Sequence, residues 1–137
     1  MGLGKTIIYL DACLVIYLLE KHEVFCAQVE QMVADWADFT FAISDLTKME
    51  CLILPFRNAD QALVDRYRAW FNEACLISLG SAVFEKAARL RAEHSSLKTA
   101  DALHLAAALH DNCDQFWTND DRLARIAPTI IRNIVTK

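Results

Sequence analysis

The chain has 137 residues with a hydrophobic fraction of 55%, 3 glycines and 2 prolines, a composition that excludes a disordered protein. A formal net charge of −4 gives no net basic field, which counts mildly against a nucleic-acid partner without excluding one. The 5 cysteines are widely spaced and include no CxxC pair, so they predict neither a zinc site nor a disulfide framework.

The first predicted element is a short apolar strand that ends at a carboxylate. "KTIIYLDA" is rich in β-branched residues and predicts a buried strand that turns at Asp11. The preceding "GLGKT" imitates the end of a phosphate-binding loop, but a strand follows it where that loop needs a helix. Residues 7–19 are too short to span a bilayer, and no secretory signal pattern is present. We therefore expect a soluble, cytoplasmic protein with no membrane partner.

Helical spacing of apolar residues dominates the next part of the chain. Residues 13–23 and 25–37 predict two helices, and "FTFAIS" at 39–44 predicts a second strand. A helix starting with "TKMECLIL" follows, and we expect it to stop before Pro55 because proline disfavours helical backbone in the residue that precedes it.

The second half of the chain continues the alternation of predicted strands and helices. Residues 59–74 form an amphipathic pattern, "CLISL" at 75–79 predicts a third strand, and Ser81 is expected to cap a helix over 81–95.

The last predicted helix is apolar nearly all round. "TADALHLAAALHDN" at 99–112 therefore predicts a helix buried between other elements, and "QFWT" and "TIIRNIV" complete five strands. Strands separated by helices indicate a parallel sheet covered on both faces. We expect one domain over residues 1–137, a three-layer α/β/α fold with a five-stranded parallel sheet.

Four acidic residues fall near the carboxyl edge of this predicted sheet, where open parallel sheets bind ligands. They are Asp11 at the end of the first strand, Glu50 in the first turn of the helix after the second strand, Asp101 at the start of the Ala-rich helix and Asp120 after the fourth strand. Convergent carboxylates repel each other unless cations neutralise them, and their hard oxygens suit Mg²⁺ or Mn²⁺. Two such ions can activate water and stabilise the leaving oxygen in phosphodiester hydrolysis.

Each acid also has a purely structural explanation. Glu50 fits a capping box with Thr47, Asp101 complements a helix dipole, and Asp120 fits a cap or turn. Asp11 is harder to explain in this way because its neighbours on both sides are apolar. The common position of all four at strand ends favours the metal site.

The chain resembles the PIN domain family, and specifically VapC-type toxins, in four segments. These are "YLDACLVIYLLE", "ISDLTKME", "LKTADALHLAAAL" and "FWTNDDRL", in this order and spacing. The resemblance implies an endoribonuclease that depends on one or two Mg²⁺ or Mn²⁺ ions and hydrolyses RNA. It implies that Asp11, Glu50, Asp101 and Asp120 are the metal-holding catalytic acids. It further implies a homodimer and a small antitoxin partner whose tail blocks the site.

The sequence departs from the family pattern at a few positions. Ala12 and Cys13 stand where the family usually has a small hydroxyl or amide residue, and Asp121 adjoins Asp120 and could take its place. The first departure keeps open an alternative, a catalytically inactive PIN-like protein that binds a partner. A further alternative is phosphoryl transfer of the haloacid-dehalogenase kind. That chemistry needs a second Asp two residues after Asp11, and Cys13 stands there, so the sequence gives it little support.

Polar neighbours of the acids are candidates for a supporting role. Thr118 and Asn119 could hold the fourth acid or a metal-bound water, and Ser44 flanks the second acid. His104 lies three residues after Asp101, so we expect it in the core or beside the site.

Overall fold

Five strands form one all-parallel sheet. The structure is a computed structural model that describes residues 6–21, 25–34 and 38–133. The strands are β1 Thr6–Leu10, β2 Phe39–Ser44, β3 Cys75–Ile77, β4 Gln115–Thr118 and β5 Ile131–Asn133. Their order in the sheet is β3-β2-β1-β4-β5, and each neighbouring pair is parallel. The predicted five-stranded parallel sheet is confirmed.

Helices cover both faces of the sheet, as a parallel sheet requires. They are α1 Ala12–Leu19, α2 Phe25–Ala34, α3 Asp45–Arg57, α4 Gln61–Glu73, α5 Ser81–Glu93, α6 Thr99–His110 and α7 Asp121–Ile126. In the part of the chain that the structure describes, no helix has the length and apolarity needed to cross a bilayer.

Successive side chains of the central strands point to opposite faces of the sheet, and this divides the hydrophobic core into two clusters. Ile8 and Leu10 of β1 pack with Trp117 of β4 in one apolar cluster, together with residues of α1 to α4. Tyr9 and Phe116 point to the opposite face, into a cluster with residues of α5 to α7. The two-residue period of a strand therefore produces the three-layer α/β/α arrangement. It also places Tyr9 and its hydroxyl group on the α6 side.

The sheet has its topological switch point beside β1. The chain passes from β1 to β2 on one side, whereas β4 and β5 lie on the other side. Ligand sites of open α/β sheets lie at such a point, outside the carboxyl ends of the strands. Asp11 follows β1 there, and its backbone N–H donates to the carbonyl of Trp117 at 3.0 Å.

Helix α3 begins earlier than the sequence suggests. It starts at Asp45, and the backbone N–H of Ser44 donates to the Thr47 hydroxyl at 3.2 Å. Thr47 is therefore the third residue of the helix and pairs with the N-cap Ser44, so it does not start a capping box with Glu50. The earlier start moves Glu50 from the first helical turn to the second.

The prediction that this helix stops before Pro55 is wrong. Pro55 lies inside α3, which continues to Arg57. Pro55 has no backbone N–H, so the carbonyl of Cys51, four residues earlier, cannot receive the usual helical hydrogen bond, and the helix runs only two residues further. The helix then ends in a Schellman pattern, in which Asp60 N–H donates to the Pro55 carbonyl at 2.9 Å and Ala59 N–H donates to Phe56 at 3.1 Å. Ala59 adopts the left-handed conformation, with φ of 52°.

Several smaller boundaries also differ, and the start of α5 and the end of β3 are two of them. Helix α5 is capped by Gly80 and not by Ser81, because the Gly80 carbonyl accepts the first helical hydrogen bonds, from Val83 and Phe84 at 3.0 and 3.2 Å. Strand β3 ends at Ile77, two residues earlier than expected. Its register with β2 ends there, where Ser44 closes β2.

Candidate metal centre

Asp11 is held by the junction between β1 and α1. It is the N-cap residue of α1 with an extended backbone, but its side chain makes no capping hydrogen bond. Instead, Oδ2 accepts a hydrogen bond from Thr118 Oγ1 at 2.9 Å. Thr118 is fully buried at the end of β4. Its hydroxyl orients the acid, a role that Ala12 and Cys13 cannot fill because neither carries a hydroxyl or amide group.

The surroundings of Asp11 disfavour its charged form. Burial is the largest influence and raises the pKa of the carboxyl group above its ordinary value. The nearby charges of Glu50 and Asp101 raise this pKa further, whereas His104 and the hydrogen bond from Thr118 oppose the shift. A buried carboxylate beside two other carboxylates is stabilised by a bound cation.

Glu50 reaches the same place from α3. Its Oε1 lies 2.5 Å from Nε2 of His104, a residue of α6 that is 2% exposed, whereas the side chain of Glu50 is 30% exposed. Atoms that could act as metal ligands in Asp11, Glu50 and His104 all lie within 4.8 Å of one another. The structure therefore brings the first two predicted acids together and adds a histidine.

A chain of buried hydrogen bonds fixes the histidine. Nδ1 of His104 lies 2.6 Å from the Tyr9 hydroxyl, which also shares hydrogen bonds with Ser44 Oγ at 2.9 Å and Thr47 Oγ1 at 3.3 Å. Burial raises the pKa of Tyr9, so this hydroxyl keeps its proton. A Tyr9 hydroxyl that donates to Nδ1 leaves Nε2–H of His104 to donate to Glu50. Because both ring nitrogens are engaged, His104 is suited to orient Glu50 and not to bind an ion itself.

The other two predicted acids share an arginine. Nη2 of Arg122 donates to Oδ2 of Asp101 at 3.1 Å and to Oδ2 of Asp120 at 3.2 Å. The remaining oxygen of Asp120, Oδ1, accepts from the backbone N–H groups of Arg122 and Leu123 and so caps α7. Burial alone would raise the pKa of Asp120, but Arg122 and these backbone donors together lower it below its ordinary value.

The four acids thus lie at one edge of the sheet as two different pairs. Asp11 and Glu50 meet at His104, whereas Asp101 and Asp120 meet at Arg122. Thr118 connects the pairs, because its hydroxyl donates to Asp11 and accepts from the backbone N–H of Asp120 at 3.2 Å. Asp121, the acid next to Asp120, lies outside these two pairs and accepts a hydrogen bond from Asn133 on β5.

The predicted supporting residues have different partners. Thr118 contacts Asp11 directly, whereas Nδ2 of Asn119 donates to the Tyr17 hydroxyl at 2.6 Å. Ser44 is fully buried and is linked to Glu50 through Tyr9 and His104.

Sequence reasoning missed Tyr9 and Arg122. A hydroxyl inside an otherwise apolar strand was the available signal for Tyr9, because a buried polar group needs a partner. For Arg122 the signal was its position two residues after Asp120, where it can reach the residue that caps its own helix.

The donors of the two pairs differ in how well they suit a divalent ion. Asp11 and Glu50 provide carboxylate oxygens of the kind that Mg²⁺ and Mn²⁺ prefer. Asp101 and Asp120 provide similar oxygens, but one oxygen of each already accepts from the guanidinium. The first pair therefore fits such an ion as it stands.

Solved structures with the same fold include a toxin–antitoxin complex and a cleaving toxin. The chain is similar to one in a toxin–antitoxin complex from Klebsiella pneumoniae, with a TM-score of 0.77 and 21% identity over 93% of this chain and 98% of that one. It is similar to a chain of VapBC2 from Rickettsia felis bound to a DNA fragment from their promoter. The TM-score is 0.70, with 20% identity over 93% of this chain and 98% of that one. It is also similar to VapC20 of Mycobacterium tuberculosis, a sarcin–ricin loop cleaving toxin. The TM-score is 0.74, with 13% identity over 88% of this chain and 95% of that one. At these identities the likeness shows the fold alone.

Sequence comparison identifies the family directly. No curated protein sequence matches the chain. The sequence profile of the PIN domain, however, matches residues 8–128, which span β1 to α7 and contain all four acids. The parallel sheet and the position of the acids at its carboxyl edge agree with that match. The chain belongs to the PIN domain family.

Proposed function

We propose that this protein is a metal-dependent endoribonuclease that hydrolyses RNA phosphodiester bonds, and that it is the toxin of a VapBC-type toxin–antitoxin pair. The observation that carries the proposal is the meeting of Asp11, Glu50 and His104 at the switch point of a PIN-family sheet. Two carboxylates beside a buried, doubly hydrogen-bonded histidine form an oriented set of oxygen ligands.

In this proposal Asp11 and Glu50 hold Mg²⁺ or Mn²⁺. A divalent ion supplies Lewis-acid chemistry at such a site, by activating water and by stabilising charge on a phosphate. Thr118 fixes the orientation of Asp11, and His104 fixes that of Glu50. Asp101 completes the acidic surroundings, and its charge is felt at Asp11.

The proposed partners are RNA, a small antitoxin and a second copy of the chain. Antitoxin complexes among the similar structures support a protein partner. Helix α3 also exposes large apolar side chains, namely Met49, Ile53, Leu54 and Phe56, with Leu54 57% exposed. An apolar helix surface of this kind is typical of a protein interface. The five free cysteines agree with the proposed cytoplasmic location.

A second candidate is an inactive PIN-like protein that only binds a partner. The observation in its favour is Arg122, which partly neutralises two of the four acids. It predicts a protein that binds no divalent ion and cleaves no RNA.

Cleavage of a mixed tRNA and rRNA pool tests the proposed activity. Purified protein is incubated with Mn²⁺, Mg²⁺ or EDTA, beside Asp11→Asn and the control Asp65→Asn, which changes an exposed acid of α4. We expect cleavage that requires metal, is lost in Asp11→Asn and is retained in Asp65→Asn. Absence of cleavage in every metal, together with absence of metal binding, would favour the inactive module.

The toxin role needs a separate test in cells. We expect induced expression of the chain to arrest growth, and co-expression of a short reading frame next to its gene to relieve the arrest. Asp11→Asn serves as the control that should not arrest growth. Normal growth under strong expression of an active nuclease would contradict the toxin role and leave the activity standing.

A further inference from the structure

Arg122 is anchored on three sides at the candidate metal centre. Its Nη2 donates to both Asp101 and Asp120, and its Nη1 donates to the backbone carbonyl of Ser96 at 2.8 Å. The backbone N–H of Arg122 binds the same Asp120 side chain at 2.9 Å. The guanidinium therefore lies between the two carboxylates, with its two terminal nitrogens both engaged.

The chemistry of this group opposes metal binding at the same place. A guanidinium stays charged at all relevant pH values and has no acceptor, so it cannot ligate an ion. It uses one oxygen of each acid and repels a cation placed beside it. The other pair of acids differs. Among the residues that the structure describes, no Lys or Arg forms an ion pair with Asp11 or Glu50.

We propose that this PIN domain binds a single divalent ion, at Asp11 and Glu50, and that Arg122 supplies the positive charge for Asp101 and Asp120 in place of a second ion. The inference rests on the proposed function, which requires that the site bind metal. The four acids by themselves are compatible with one or two bound ions, and the inference reduces this number to one.

Metal stoichiometry tests this inference without relying on activity. Mn²⁺ is titrated calorimetrically into the wild type, Arg122→Gln and the control Arg125→Gln, which changes an exposed arginine of the same helix. We expect one ion per chain in the wild type and in Arg125→Gln. Arg122→Gln should bind a second ion, because it frees the two carboxylates. Circular dichroism confirms that each variant is folded.

Two results would overturn the inference. Binding of two ions by the wild type would show that Arg122 does not exclude the second one. Binding of only one ion by a folded Arg122→Gln would show that the arginine is not what limits the number.

A second comparison leaves Arg122 intact and covers the case in which its variant does not fold. We expect Asp11→Asn to weaken Mn²⁺ binding by about 100-fold or more, because it removes a ligand. Asp101→Asn should weaken it by less than about fivefold, because it changes only a neighbouring charge. Equal losses in the two variants would overturn the inference.

Failure of the inference differs from failure of the proposed function. Metal-dependent RNA cleavage with two bound Mn²⁺ ions would reject only the single-ion arrangement. Absence of both Mn²⁺ binding and cleavage in the wild type would reject the nuclease and the inference together.

Discussion

At the scale of single residues, the candidate metal centre depends on side chains that orient the acids. Tyr9, His104 and Glu50 form a continuous line of hydrogen bonds from the buried core to the site. Thr118 does the same for Asp11 from the end of β4. Each orienting side chain is buried, so its partners are costly to lose.

Replacement of His104 by alanine should weaken metal binding while the acids remain. Loss of a residue that orients a ligand typically costs about 10- to 100-fold in metal affinity, and we expect a loss of that size for Mn²⁺ measured by calorimetry. His110→Ala, at the exposed end of the same helix, is the matched control. An unchanged affinity in a folded His104→Ala protein would contradict the orienting role.

Tyr9→Phe should destabilise the protein because it removes the shared hydroxyl. Ser44 and His104 would each lose a buried partner, and we expect a loss of about 1–3 kcal/mol in the free energy of unfolding by urea denaturation. A loss below about 0.5 kcal/mol would mean that the hydroxyl contributes little beyond its bulk.

At the scale of elements, helix ends position the acids. The carboxyl group of Asp120 caps α7, so one side chain both starts a helix and holds Arg122. Helix α3 begins directly after β2, which brings Glu50 in its second turn to the carboxyl edge of the sheet. The left-handed Ala59 then ends the same helix.

Asp120→Ala should lower the free energy of unfolding in metal-free buffer at pH 7 by about 1 kcal/mol, through loss of the cap. Part of this difference depends on pH. Because the pKa of Asp120 is lowered in the folded protein, its ionic contribution is present above the ordinary value of 3.8 and is lost as pH falls through the folded-state pKa. The gap between wild type and variant should therefore narrow on acidification below that value. A gap that widens in urea denaturation at low pH would contradict this assignment.

Ala59→Gly should stabilise the protein, because glycine adopts a positive φ at no steric cost. We expect a gain of about 0.5–1 kcal/mol in the free energy of unfolding. Ala69→Gly, in the exposed middle of α4, is the opposite control and should lose about 1 kcal/mol. Two losses of equal size would show that the left-handed backbone at Ala59 carries no strain.

At the scale of the whole molecule, the site exists only when distant segments of the chain come together. The hydrogen bonds that build it join residues 107 positions apart for Thr118 and Asp11, and 95 apart for Tyr9 and His104. An ion at Asp11 and Glu50 would therefore bind the folded protein and not the unfolded chain. Bound metal should therefore increase the free energy of unfolding of the whole protein.

Addition of Mn²⁺ should raise the stability of the wild type and EDTA should reverse the effect. At an ion concentration of about 100 times the Kd, linkage gives a gain of about 2.7 kcal/mol in the free energy of unfolding. Thermal melts with and without the ion check this. Asp11→Asn should show little response, and an equal response in that variant would place the ion elsewhere.

The sequence alone was sufficient for the pattern of elements and for the edge where the acids lie. Five β-rich segments alternate with helical periodicities, and this alternation permits few arrangements other than a covered parallel sheet. Strand ends in such a sheet share an edge, so the sequence was enough to expect Asp11 and Asp120 at the same edge. The prediction for Pro55 failed because it relied on the local backbone preference of the residue before a proline, whereas the helix continues through Pro55 to Arg57. The extent of one domain over residues 1–137 stays a prediction.

Only the tertiary structure decided how the acids are paired. Linear spacing says nothing about which side chain from another element fills the space between two carboxylates, since that depends on packing between layers. His104 reaches Glu50 across 54 residues because α6 packs against the sheet beside α3. Arg122 in the first turn of α7 reaches Asp101 in the first turn of α6, 21 residues earlier in the chain. The sequence determined that carboxylates gather at this edge, and the packing of the helices determined that one pair meets a histidine and the other an arginine.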